Sequence, residues 1–359
     1  MTKAKREGHD GKSPGHRVSA GRAGWVCLAL LVMTGLARRS DPSRFESRQT
    51  HMGSEFTLFL YTSDASQASR AFEAAFARIA ELDRALSDYN PESELMKLCD
   101  RAGGPAVVVS ADLLRCLEQA EKMSRLSDGA FDVTIGPIGR LWRRARRTRE
   151  MPDAQTLAKA KELVGYQNIQ LDAKASTVKL AKPGMKLDLG AIAKGYACDE
   201  AIRVLKTKGI TSALAAGAGD IVVSDAPPGR TGWRIGVAAP DGDPAKPSRF
   251  LSLANAAVST SGDAEKFVEI DGKRYSHIVD PRTGLGVIDR ASVTVVAKSG
   301  IIADGLDTTV YVLGPQKGMP IVEQTEGAAS LYISVGGQPK TIASSRWDQL
   351  KNDDRPDGP

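Results

Sequence analysis

The chain has 359 residues, 42% hydrophobic and 26% charged, which suffices for one large domain or two ordinary ones with a sizeable core. The net charge of +6 sits in the first fifty residues, where ten Lys/Arg face four Asp/Glu; the rest carries 39 of each sign. A neutral body has no electrostatic footprint for nucleic acid, so no nucleic-acid partner is expected.

Lys3, Lys5, Arg6, Lys12, Arg17 and Arg22 precede the apolar run AGWVCLALLVMTGLA, residues 23–37. Basic flank, apolar run and the small-residue stretch GLA describe an export signal, and the run is short for a membrane span. Arg38 and Arg39 directly after it are unusual for a cleaved signal, so an uncleaved N-terminal anchor is the alternative. Either places the body outside the cytoplasm, periplasmic or held at the outer face of the inner membrane. Residues 38–50 read as a polar linker, 51–345 as the functional domain and 346–359 as a polar tail.

Within the domain, HMGSEFTLFLYT alternates as a strand, and 64–87 has the apolar spacing of a long amphipathic helix. DYNPESELMKL reads as a loop turning into a short helix, and another helix spans 110–127, capped by Ser110 or Asp112. After DGAFDVTIGPIGRLW, residues Arg140, Arg143, Arg144, Arg146, Arg147 and Arg149 form a basic run. It reads as a solvated helix face, or as a contact for phosphate, anionic lipid or an acidic partner. A helix at 153–165 precedes three short strands, NIQLD, TVKLA and MKLDLG. A glycine-bounded helix fills 190–209 and two strands flank the turn GAGD. A loop over 225–247 surrounds WRIGVAA, and 300–314 and 315–325 are helices before a late strand, AASLYISVGG. Strands and helices do not alternate strictly, so an α+β fold with mixed sheets is favoured over a doubly wound parallel sheet. Cys99, Cys116 and Cys198 lack CxxC spacing, which argues against a zinc or thioredoxin-like site.

Four stretches could carry chemistry. LDLGAIAKGYA places Lys194 between Gly190 and Gly195 at a helix start, a setting that suits phosphate, though it is neither a Walker A loop nor GxGxxG. STSGDAEKF begins with a hydroxyl-rich turn, Ser259–Gly262. SHIVDPRTGLGV holds His277, the one histidine deep in the chain. ADGLDTT puts Asp304, Asp307 and Thr308 on one helical face, an oxygen set that favours magnesium or calcium over zinc. Taken alone, the first, second and fourth read more readily as a capped helix with a surface lysine, an ordinary turn and helix-capping residues, and the His277 stretch reads evenly as a turn or a catalytic site.

Together, in this order, they resemble the ApbE family of FAD:protein FMN transferases. MGSEFTL, DGAFDVTIGPIGRLW, LDLGAIAKGYACDEAIRVL, STSGDAEKF, GKRYSHIVDPRTG and SVTVVAKSGIIADGLDTTVYVLG are each similar to that family's blocks, across roughly residues 50–335. The resemblance implies an ApbE-like, T-fold-related architecture. It also implies a magnesium-dependent enzyme that splits FAD, joins FMN through a phosphoester to a threonine or serine of a partner flavoprotein, and releases AMP. A membrane redox-complex subunit is one such partner. The family's metal ligands fall on the Ala191 carbonyl, Asp304 and Thr308. Its FAD contacts fall on Met52, Tyr89, Ala130, Phe131, Asp132, Asp188, Lys194, Ile278 and Asp307.

Those roles suit the chemistry. Cleaving a pyrophosphate requires its charge to be neutralised, and a magnesium with one formally charged protein ligand keeps positive charge for the phosphates. Lys194 adds a point charge. The acceptor hydroxyl must lose a proton, which His277 can take; Asp280 either orients it or caps the turn before Pro281. Two alternatives stay open: an FAD pyrophosphatase giving FMN and AMP, and a non-catalytic flavin-binding or delivery protein. Two departures from the family stand out. Ala218 replaces a glycine in GAGD and would be strained at positive φ, and Gly305 replaces an alanine, loosening its helix slightly.

Overall fold

Strand β2 (Ser54–Thr62) buries Phe56, Leu58 and Leu60 and half-buries Thr57, Phe59 and Tyr61 between them. A strand with two apolar faces needs cover on both sides, and that requirement organises the molecule. The computed structural model describes residues 41–237, 247, 249–262, 266–334 and 340–353.

Eight strands form the central sheet: β1 (Ser43–His51), β2, β3 (Ala213–Gly217), β4 (Asp220–Val223), β5 (Ala256–Gly262), β6 (Ala291–Ala297), β7 (Ala329–Ser334) and β8 (Thr341–Ala343). They lie in chain order, each antiparallel to the next. The expected α+β class is therefore observed, with strand directions more uniform than expected: every pairing among the described residues is antiparallel.

Long insertions interrupt this meander. Between β2 and β3 come α1 (Ala65–Leu86), α2 (Glu94–Asp100), α3 (Ala111–Leu126), α4 (Gly136–Thr148), α5 (Ala154–Glu162) and α6 (Ala193–Thr207). Between β6 and β7 come α7 (Gly300–Leu313) and α8 (Pro315–Gln324). The larger core joins Leu58, Ala215, Ala257 and Val295 of the sheet to Ile79, Ala201, Leu306 and Val310 of the helices. The opposite face packs Leu214, Val258 and Val296 against a ribbon carrying Trp233, Ile235 and Leu251, and against Trp347. All seven residues of β6 are buried, as a strand covered on both faces requires.

Several expectations are corrected. The stretch read as a linker contains β1, whose charged residues (Arg44, Glu46, Arg48) suit an exposed sheet edge and hide it from a search for alternation. HMGSEFTLFLYT is a hairpin turn plus a strand. The hydroxyl-rich Ser259–Gly262 belongs to β5 instead of a turn. MKLDLG is no strand; its Asp188 N–H bonds the Val133 carbonyl at 2.8 Å, laying the loop against the entry to α4. The stretch read as a polar tail contains Trp347, which is fully buried, and Asp353, whose N–H bonds the Phe250 carbonyl at 2.9 Å. Cys99, Cys116 and Cys198 are buried free thiols. The leader lies outside the described residues, among which no helix is long and apolar enough to cross a membrane.

Candidate functional site

The site begins where α6 and α7 cross. A Cβ on Gly195 would lie 2.2 Å from the Gly300 carbonyl oxygen, and one on Gly300 would lie 2.3 Å from that of Gly195. Only two glycines allow this backbone contact. Asp199 of α6 then caps α7, accepting from the N–H groups of Gly300 (2.7 Å) and Ile301 (2.9 Å). Burial raises its pKa to about 6. This crossing sets Asp304, one turn into α7, against the first turn of α6. The Gly195 N–H donates to Asp304 Oδ2 at 3.0 Å.

Around it lies a charged cluster. Lys194 Nζ is 3.6 Å from both Asp304 Oδ2 and Asp220 Oδ2, and donates to the Gly190 carbonyl at 2.6 Å. Ser259 Oγ lies 2.6 Å from Asp220 Oδ1 and 2.6 Å from Asp307 Oδ2. All three carboxylates are buried. One hydroxyl carries one proton and ionised carboxylates only accept, so Ser259 can satisfy both neighbours only if one of them is protonated. The electrostatics agree. Burial, then the Asp304 charge, pushes Asp220 up to about 7. Burial, then Asp304 and Asp220, drives Asp307 well above the carboxylate range. Burial also raises Asp304. For Lys194, burial opposes the charge, but the three carboxylates outweigh it and hold its pKa above the usual lysine value. Three carboxylates against one ammonium leave excess negative charge, which the pocket sheds by holding protons or by taking a cation.

The donor set fits a hard cation. Asp307 Oδ1 is buried without a hydrogen-bond partner. Thr308 Oγ1, one turn beyond Asp304 on α7, lies 3.3 Å from Ser261 Oγ. Ala191 is half-buried in the turn that leads into α6. Among the described residues no three His, Cys, Asp or Glu side chains form a metal cage, so a cation here would also lean on hydroxyl and carbonyl oxygens, as Mg²⁺ does.

His277 follows the ribbon Phe267–Ile270/Lys273–Ser276. Its Nδ1 lies 3.0 Å from the Lys266 carbonyl. A carbonyl only accepts, so Nδ1 carries the proton and the neutral ring's lone pair sits on Nε2. The residue keeps solvent-exposed surface, but crowding by the protein, outweighing the Lys266 carbonyl, pushes its pKa down to about 4, with Lys266, Arg146 and Lys194 adding to the fall. Asp280 accepts from the Arg282 N–H, Nε and Nη2 at 2.8–2.9 Å, so its role is to close the turn. Trp142 of α4 fastens that turn, donating from Nε1 to the Gly284 carbonyl at 2.8 Å.

The remaining candidates lie on other segments, each with its own local partners. Met52 sits at the tip of the β1–β2 hairpin with φ 51°, a conformation that disfavours a branched or bulky side chain, and its N–H donates to Asp83 at 2.8 Å. Ala130 and Phe131 are buried. Asp132 is consumed by Thr134 N–H (2.8 Å), Thr134 Oγ1 (2.7 Å) and Tyr166 N–H (2.7 Å). Ile278 is half-buried at the edge of the main core. Tyr89 is 74% exposed, and Asp188 Oδ1 accepts from the Gly190 N–H at 2.9 Å.

The structure thus gathers Lys194, Asp304 and Asp307 directly, joins to them Ser259 of the hydroxyl-rich stretch, and adds Asp220 and Asp199, which sequence reasoning did not place in a site. Alternation along β5 would have flagged Ser259 and Ser261 as sharing a face. The GAGD turn, with Ala218 at φ 52° and Gly219 at φ 96°, marked Asp220. The arginine run also divides: Arg144, Arg147 and Arg149 are exposed, while Arg143 turns inward.

The ApbE family model matches residues 52–333. A Treponema pallidum protein named FAD:protein FMN transferase is 34% identical over 75% of this chain and 78% of its own length. One of the same name from Klebsiella pneumoniae is 33% identical over 82% of this chain and 90% of its own. The apo Pseudomonas stutzeri flavinyl transferase ApbE superposes with TM-score 0.77 at 30% identity, covering 87% of this chain and 98% of that one. With a family pattern across most of the sheet and helices, and these likenesses in sequence and structure, the chain belongs to the ApbE family.

Proposed function

We propose that the protein is a magnesium-dependent FAD:protein FMN transferase. The observation that carries this reading is the buried cluster that sets three carboxyl groups, Asp304, Asp307 and Asp220, around one ammonium, Lys194, with an unpartnered Asp307 oxygen. The names of the relatives supply the reaction.

Asp304, Thr308 and the Ala191 carbonyl would hold the magnesium, which when bound supplies charge neutralisation to the pyrophosphate. The Gly195 N–H, which would ordinarily reach back toward Ala191, is given instead to Asp304. Lys194 offers its ammonium to a phosphate oxygen. His277 takes the proton of the acceptor threonine or serine on Nε2 as that hydroxyl oxygen attacks the FMN phosphorus. The bond from that phosphorus to the bridging oxygen breaks, AMP departs with the bridging oxygen, and FMN remains as a phosphoester on the acceptor. Met52, Tyr89, Ala130, Phe131, Asp132, Asp188 and Ile278 line the nucleotide, with Ala130 and Phe131 offering backbone groups because their side chains are buried. Residues 1–37 carry the body out of the cytoplasm as a signal or anchor, where it meets an acceptor flavoprotein at the membrane.

The test incubates the protein with FAD, Mg²⁺ and a candidate acceptor domain, and reads intact mass. Covalent FMN on an acceptor threonine or serine, with one AMP released per event, is expected. Free FMN and AMP without an adduct would make the protein a pyrophosphatase, and unchanged FAD would make it a binding protein.

A further inference from the structure

Arg143 belongs to a stretch of arginines that reads as surface, yet its side chain is only 20% exposed. Its guanidinium holds three groups from two distant segments. Nη2 ion-pairs with Asp88, and donates to Asp188 Oδ2 at 2.5 Å. The guanidinium carbon stands 4.3 Å from the centroid of the Tyr89 ring, in stacking range. The approach is built into α4. A Cβ on Gly136 would lie 2.6 Å from the Lys186 carbonyl oxygen, and one on Gly139 would lie 3.5 Å from Asp188 Oδ2. Two small residues press the helix onto the 186–188 segment, and Arg143, one turn after Gly139, reaches along it.

Tyr89 lies on the loop between α1 and α2 and is 74% exposed. An aromatic side chain that open would sample several rotamers. Here one face rests on a guanidinium that two carboxylates hold in place, so the exposure belongs to the other face and the edges. A phenol with one face braced and the other open is a stacking shelf for a planar heteroaromatic ring.

We propose that Arg143 is a positioning residue for the dinucleotide: it braces Tyr89 as a shelf for a planar ring of FAD and fixes Asp188 beside that shelf. The inference rests on the reading of Tyr89 and Asp188 as FAD contacts. Its chemistry requires a plane, because lysine could keep the charge between Asp88 and Asp188 but could not stack as a flat, forked group.

The test compares wild type, Arg143→Lys, Tyr89→Leu and the double variant. FAD affinity is measured by equilibrium dialysis, steady-state kinetics with varied FAD, and stability by thermal melting. Arg143→Lys is expected to raise Kd and KM for FAD by about fivefold to tenfold, with the loss falling on KM instead of kcat and the melting temperature held. Tyr89→Leu should weaken FAD similarly, and the double variant should lose little more than either single one, since both remove the same shelf. Wild-type affinity in Arg143→Lys overturns the proposal, as do additive losses in the double variant. A fall in melting temperature together with kcat would make Arg143 merely structural and overturns it too. If wild type itself neither binds FAD nor transfers FMN, the functional reading fails, which is distinct from failure of the shelf.

Discussion

Replacing Gly195 by alanine tests whether the α6–α7 crossing makes the site. The added Cβ would stand 2.2 Å from the Gly300 carbonyl oxygen and 2.9 Å from the Cβ of Asp304. A carbon and an oxygen need roughly 3.3 Å, so the helices must part by about 1 Å. The obstruction is backbone, so no rotamer relieves it. Overpacking of this kind costs about 1–3 kcal/mol, and at about 2–4 °C per kcal/mol the melting temperature should fall by roughly 2–12 °C. The larger effect should be on turnover. Asp304 accepts from the Gly195 N–H and faces Lys194 across the crossing, and a 1 Å displacement of such groups costs on the order of 100-fold. Gly305→Ala, a few residues along α7, is the control: its Cβ meets the flexible Met123 side chain at 3.2 Å, and alanine improves helix propensity by up to about 1 kcal/mol. The assay is FMN transfer by intact mass beside differential scanning calorimetry. Native melting and native transfer in Gly195→Ala would refute the argument that glycine contact sets the geometry.

Asp304→Asn should reduce magnesium-dependent transfer by about 100-fold or more and weaken Mn²⁺ binding measured by electron paramagnetic resonance; near-normal values of both would remove Asp304 as a ligand. His277→Gln should lower transfer by about 10²–10⁴-fold while FAD still binds. Because the surroundings lower the His277 pKa to about 4, the neutral base is present above that value and is lost only as pH falls through it. A wild-type acidic limb near pH 6.5 that disappears in His277→Gln would contradict this. Ala218→Gly should stabilise the β3–β4 turn by about 0.5–1 kcal/mol, because alanine there holds φ 52°; an unchanged or lower melting temperature would show that the alanine is not strained.

What the sequence disclosed and what it hid divide along a physical line. Helices α1, α3, α6 and α7 were legible because apolar spacing and caps are local signals, and Ser110 does accept from the Leu113 N–H as a cap. The face of α7 that carries Asp304, Asp307 and Thr308 was legible for the same reason, since i, i+3 and i+4 spacing is local. Strand β1 was hidden because an edge strand has little apolar alternation to show. Ser259 was misplaced because a run of small hydroxyl residues carries turn propensity, and pairing with β4 and β6 overrides it. Asp220, Asp199 and Arg143 act through partners 39, 101 and 45 residues away along the chain. No local pattern marks such residues, and their charge reads as surface until the fold supplies the partner. The same logic explains the arginine helix. Its composition described one solvated stripe, but two glycines on one side pull that side against Asp188, so neighbouring arginines meet opposite environments. Glycine spacing within a charged helix was the available sign that one of its faces is buried.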